Sequence, residues 1–94
     1  MPTFDFQLVL SNVEVMTEEI ADVLFEAGCD DGTPFSSQGV AAIGFAREAN
    51  SLEEAIRSAI ADVNKAGFVV SRALPADERV YEKINQELSS SDER

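Results

Sequence analysis

Glu26-Ala27-Gly28-Cys29-Asp30-Asp31-Gly32-Thr33-Pro34 joins a run with helical spacing to a run with strand character, and its reading decides the architecture. Gly28 stands where a residue in a left-handed conformation would end a helix. Asp31-Gly32 is a standard turn pair, because aspartate hydrogen-bonds its own backbone and glycine tolerates positive φ. Read this way the stretch is a corner, the point where a first helix hands the chain to an edge of a sheet.

Upstream of the corner, Ile20, Val23, Leu24 and Ala27 recur at i, i+3, i+4 and i+7, one apolar stripe of a helix. Thr17 is placed to cap it, and Glu18 and Glu19 follow where carboxylates favour the positive end of the helix dipole. Before that, Phe4, Phe6, Leu8 and Leu10 alternate at period two, the pattern of a half-buried strand. Downstream, a short strand is expected over Thr33–Ser37, with a hairpin turn near Gln38-Gly39. Val40 to Arg47 reads as a third strand, with Ala41, Ile43 and Phe45 on one face and Val40, Ala42, Gly44 and Ala46 on the other.

Ser51-Leu52-Glu53-Glu54 is a capping box opening a second helix. Leu52, Ala55, Ile56, Ala59, Ile60 and Val63 form its stripe, and Ala66-Gly67 closes it. Phe68 to Leu74 is the expected fourth strand, stopped by Pro75. Ala76 to Leu88 has the spacing of a third, shorter helix, with Val80, Tyr81, Ile84 and Leu88 on one side, and a polar tail follows. The order β-α-β-β-α-β predicts an α+β, ferredoxin-like βαββαβ sandwich, a four-stranded antiparallel sheet with two helices on one face, plus a C-terminal helix. Residues 1–75 would form that domain and 76–94 the added helix and tail. The inner layer is expected from Phe4, Phe6, Leu8, Ile43, Phe45, Phe68 and Val70.

Charge narrows the function classes. The 94 residues carry a net charge of −11, and no lysine or arginine precedes Arg47, whereas eight carboxylates do. Such a half repels phosphate backbones, so no nucleic-acid partner is expected. It would instead steer toward a basic protein partner or a cation. No stretch approaches the roughly 20 apolar residues of a membrane helix, and a lone cysteine excludes an internal disulfide, so a cytoplasmic protein is expected.

Catalytic parts are scarce. With no histidine in the chain, the Ser-His and Cys-His pairs and histidine-based zinc sites are excluded. Cys29-Asp30-Asp31-Gly32-Thr33 is near the D-x-D-G-T loop of haloacid-dehalogenase-type phosphatases, but a cysteine occupies the position of the attacking aspartate, and a helix precedes it rather than a buried strand. Nor does the stretch have the alternating oxygen ligands of an EF-hand. Two neighbouring carboxylates would raise the pKa of Cys29, the wrong direction for a reactive thiolate. The expectation is a small buried plug, no enzyme, no cofactor and no metal site.

Arg47-Glu48 ends the third strand, and Arg47 is positioned for an ion pair with Asp5 or with Asp30/Asp31, read as a surface pair worth about 0–1 kcal/mol. The outer sheet face is expected to carry Asp5, Gln7, Val9, Val40, Ala42, Gly44, Ala46, Val69, Ser71 and Ala73. It is small and apolar at its centre, which marks a surface that something covers. Either the terminal helix folds back on it through Val80, Tyr81, Ile84 and Leu88, or a second subunit does.

FDFQLVL, ADVLFEAGCDDGTPFSSQGVAAIGFAREA and SLEEAIRSAIADVNKAGFVVSR together resemble a family of small bacterial proteins, most of them uncharacterised. Its pattern runs from a strand into D-x-L-[FY]-E-A-G-C-D-D, then F-x-R-E-A, then S-L-E-E-A-I-x-S-A-I-x-D-V. The resemblance covers Phe4 to about Arg72. Many such relatives continue into a helix-turn-helix, and some are antitoxin- or prophage-type regulators, so the resemblance implies a regulatory or assembly module and no catalytic residues. After Arg72 this chain departs from the pattern, with one short acidic helix instead.

The functional expectation is therefore a non-catalytic, acidic interaction or regulatory module, antitoxin- or regulator-like. It would work through self-association as a homodimer or through a basic protein partner, using Val40, Ala42, Gly44, Ala46, Val80, Tyr81, Ile84 and Leu88. The alternative is a domain that senses a metabolite at a dimer edge, with Cys29, Asp30, Asp31, Gly32, Arg47 and Glu48 around the ligand.

Overall fold

The computed structural model describes residues 1–11, 13–37, 39–74 and 84–88. The elements follow in the order β1 (Thr3–Leu10), α1 (Glu18–Glu26), β2 (Gly32–Ser37), β3 (Val40–Glu48), α2 (Leu52–Lys65) and β4 (Val70–Leu74). The strands make one antiparallel sheet in the order β2-β3-β1-β4. The expected caps are in place: Thr17 Oγ1 accepts from the Ile20 amide, and Ser51 Oγ from the Glu54 amide, each at 3.2 Å. Each satisfies one of the donors a helix start leaves free.

A single core lies on one side of the sheet. Phe6, Leu8 and Leu10 from β1, Ala41, Ile43 and Phe45 from β3, and Val70 and Ala73 from β4 meet Leu24 of α1 and Ala55, Ile56, Ala59 and Val63 of α2. Phe6 and Phe45, paired across β1 and β3, stack with centroids 5.3 Å apart. Phe4 and Phe68, both expected in the inner layer, are only partly buried against this core. Phe68 lies before β4 and follows the α2 end instead of lying in the strand.

β4 departs from the alternation read in the sequence. Leu8 pairs with Ala73 and Val9 with Arg72, but Leu10 pairs with Val70, so Ser71 is an extra residue in the ladder. Its hydroxyl donates to the Val9 carbonyl at 3.2 Å. A bulge of this kind moves every later residue to the opposite face. Ala73, expected outside, is fully buried in the core, and Arg72 and Leu74 take its place on the outer face.

Of the expected third helix, residues 84–88 are described and are helical; Val80 and Tyr81 lie outside the described residues. Ile84 and Leu88 do not lie on the outer sheet face. Ile84 is 1% exposed within the helix-side core, and Leu88 packs against it. The reason is a dual anchor. The Asn85 side chain accepts from the Ala73 amide at 2.6 Å and donates to the Ala73 carbonyl at 3.0 Å, pairing the outward backbone of edge strand β4. Arg57 of α2 meets the Glu87 carboxylate with two hydrogen bonds, at 3.1 and 2.9 Å.

Candidate functional site

The Glu26–Pro34 corner is built by the end of α1. The amide of Gly28 bonds the Phe25 carbonyl and that of Cys29 the Leu24 carbonyl, a Schellman closure that leaves Gly28 at φ 120°. The chain then turns into β2, and Cys29 drops into the core, 3% exposed. Burial first, and the nearby Asp62 carboxylate second, push its thiol up to about 11. Asp30 and Asp31, the neighbours expected to cause that shift, contribute less.

Arg47 fills the corner. Odd-numbered residues of β3 face the helices, so its side chain enters the helix layer at the end of the sheet. Nε donates to Asp31 Oδ2 at 2.7 Å and Nη2 to Asp31 Oδ1 at 2.9 Å, a bidentate pair. Nη2 also donates to the Gly28 carbonyl at 3.0 Å and lies 3.0 Å from Asp62 Oδ2, while Nη1 donates to Ser58 Oγ at 3.1 Å. The guanidinium carbon stands 5.1 Å from the centre of the Phe45 ring.

The expectation of a surface ion pair is thus corrected, because Arg47 is 9% exposed and ties the α1–β2 corner to α2. Asp5 is not its partner: it is opposite Ala46, on the other face of the sheet. Asp30 and Glu48 are exposed and stand apart from this network. Nothing in the local pattern around Arg47 points to Asp62 and Ser58. Their i, i+4 spacing along one flank of the α2 stripe was the available signal. The Arg47 side chain occupies the space behind the Cys29–Gly32 turn, with Nε, Nη1 and Nη2 each donating to a protein acceptor. Chemically the cluster can hold three segments together, and a buried, protonated thiol beside it is a poor nucleophile.

The outer face of the sheet is organised in rows. Thr3 and Glu48 form one row, and Asp5 and Ala46 the next. Leu74, Gln7, Gly44 and Thr33 follow, then Arg72, Val9, Ala42 and Phe35, with Val40 beyond. Bulk sits on the flanking strands and small residues in the middle. Ala42 and Val9 are buried, at 4% and 7%, by their neighbours, while Phe35 and Val40 are each 36% exposed. Among the described residues the face has shallow depressions, including one of about 440 Å³ around Gln7, Gly44 and Leu74 and one of about 290 Å³ around Val9, Phe35 and Ala42. Of the expected interface residues, Val40, Ala42, Gly44 and Ala46 lie together here, whereas Ile84 and Leu88 belong to the opposite layer.

Neither edge of the sheet invites another strand. Asn85 engages β4 at Ala73. On β2, the Ala46 amide donates to the Asp31 carbonyl, and with the 31–46 pair bonded, alternation turns the backbones of Thr33 and Phe35 toward β3 and that of Pro34 outward. A proline there removes the donor that an added strand would need. Among the described residues no group of three metal-ligating side chains occurs, and no helix is long and apolar enough to cross a membrane. No family model, curated protein or solved structure matches this chain.

Proposed function

We propose that the protein is a non-catalytic, acidic interaction module of ferredoxin-like architecture, regulator- or antitoxin-like in role, whose working surface is the outer face of its sheet. The strand order β2-β3-β1-β4, with α1 and α2 each carrying the chain between strands that do not pair with one another, supports that architecture. The observation that carries the functional reading is the trough over Val9, Ala42 and Gly44, flanked by Phe35 and Leu74, on a sheet whose edges are engaged by Asn85 at Ala73 and interrupted by Pro34 on β2. A partner that meets the sheet has to come onto its face. A basic protein partner suits a chain with net charge −11, whereas self-association has to rest on local contacts across the face.

Gly44 provides the test. A Cβ built there comes no closer than 3.9 Å to any atom beyond its own residue and its two chain neighbours, so a side chain fits without disturbing the core. Gly44→Lys should keep the native circular dichroism and melting temperature yet lose self-association and lose the proteins retained by the immobilised wild type. A variant that binds everything the wild type binds would refute the docking face.

A further inference from the structure

We infer that the occupant of the outer face is a second copy of this chain, stacked end for end so that Arg72 of each copy lies beside Asp5 of the other. This rests on the docking-face reading above and names its partner.

The face is electrically lopsided. Asp5 and Glu48 stand at one end, Arg72 two rows past Asp5, and the rows between are uncharged. Four residues along the strand and one strand across separate Asp5 from Arg72 by about 14 Å, too far to pair within one molecule. Neither makes an ion pair among the described residues. Glu14 lines the surface beyond Arg72 but makes no ion pair with it among the described residues.

With the strands of the two sheets aligned, the face can stack on itself in two symmetric ways, and charge chooses between them. A two-fold axis parallel to the strands would set Asp5 and Glu48 against the same acidic end of the second copy. An axis across the strands, near the Gln7–Gly44 row, sets the acidic end of each copy against the Arg72 end of the other. Arg72 then falls one strand spacing, about 4.8 Å, to the side of the opposing Asp5, within reach of an arginine side chain. The small residues Ala42, Gly44 and Ala46 meet along the centre, where two sheets can approach to about 10 Å. Overall repulsion between two such acidic chains is screened beyond about 8 Å at physiological ionic strength, whereas contact pairs are not. A four-stranded face this short buries an area at the small end of specific interfaces.

Sedimentation velocity of the full chain at physiological ionic strength tests this, with Arg72→Glu, Asp5→Lys and an equimolar mixture of the two. Both positions are exposed, so the variants should melt like the wild type. The wild type should dimerise, and each variant alone should do so about tenfold more weakly, because both of its contacts are then repulsive. The mixture should recover wild-type association, since a dimer of one variant with the other restores one Arg–Asp and one Glu–Lys contact. A wild type that stays monomeric at the highest concentration overturns the inference. So does a mixture no tighter than its components. If Gly44→Lys nevertheless loses a different protein, the docking face survives and the second copy is not its occupant.

Discussion

The two long helices end on the same pair of residues, Ala27-Gly28 and Ala66-Gly67, with the same hydrogen bonds. In each, the glycine amide bonds the carbonyl three residues back and the next amide, Cys29 or Phe68, the carbonyl five back, with φ at 120° and 96°. Locally they are interchangeable. Their surroundings are not. A Cβ on Gly67 would meet nothing within 4 Å, whereas one on Gly28 would stand 2.9 Å from the Asp62 carboxylate carbon. The Gly28 carbonyl is also a ligand of Arg47. One motif merely stops a helix; the other stops a helix and forms one wall of a partly buried ion cluster. A local stop signal thus acquires a tertiary role when a charged group is brought to it.

That comparison can be broken from several sides. Arg47→Ala should have the largest effect, about 3 kcal/mol of stability lost in denaturant unfolding, because Asp31 and Asp62 keep their charges beside an emptied, partly buried site. Gly28→Ala should cost about 2 kcal/mol, from a positive φ that alanine resists and from displacement of Asp62. The two losses should not add when combined, since both act on one network.

Cys29 separates the two helix ends by pH. Its folded pKa of about 11 exceeds its ordinary value of 9.0, so the protonated thiol is favoured by folding. Its contribution is complete below pH 9 and is lost as pH rises toward 11. At pH 10 the native state should be about 1.4 kcal/mol less favoured from this source, and Cys29→Ala should lack that part of the alkaline loss. Phe68, at the matching position of α2, has no group to titrate.

Gly67→Ala should cost about 1 kcal/mol, the backbone term alone. If it matches Gly28→Ala, the Asp62 contact contributes nothing and the comparison fails. Arg57→Ala should be smallest, no more than about 0.5–1 kcal/mol, because its pairs with Glu53 and Glu87 are much more exposed than those of Arg47.

Residue patterns alone specify α1, α2, β1 and β3 and the caps of the two helices. Thr17, Ser51, Gly28 and Gly67 act through backbone groups only a few residues away, so their chemistry is readable without the fold. The alternation of β1 and β3 was equally legible, because a strand with one buried face repeats every two residues. What tertiary structure alone decided lies beyond that range. One inserted residue, Ser71, exchanged Ala73 for Arg72 and Leu74 on the outer face, and no period in so short a strand announces a bulge. Asn85 and Glu87 drew the terminal segment to the β4 edge and α2, which a stripe of apolar residues cannot specify because it fits either face. Arg47 found Asp62, fifteen residues on in the chain and side by side in space. Ion pairs and register are set by which surfaces meet, and that is a property of the packed whole.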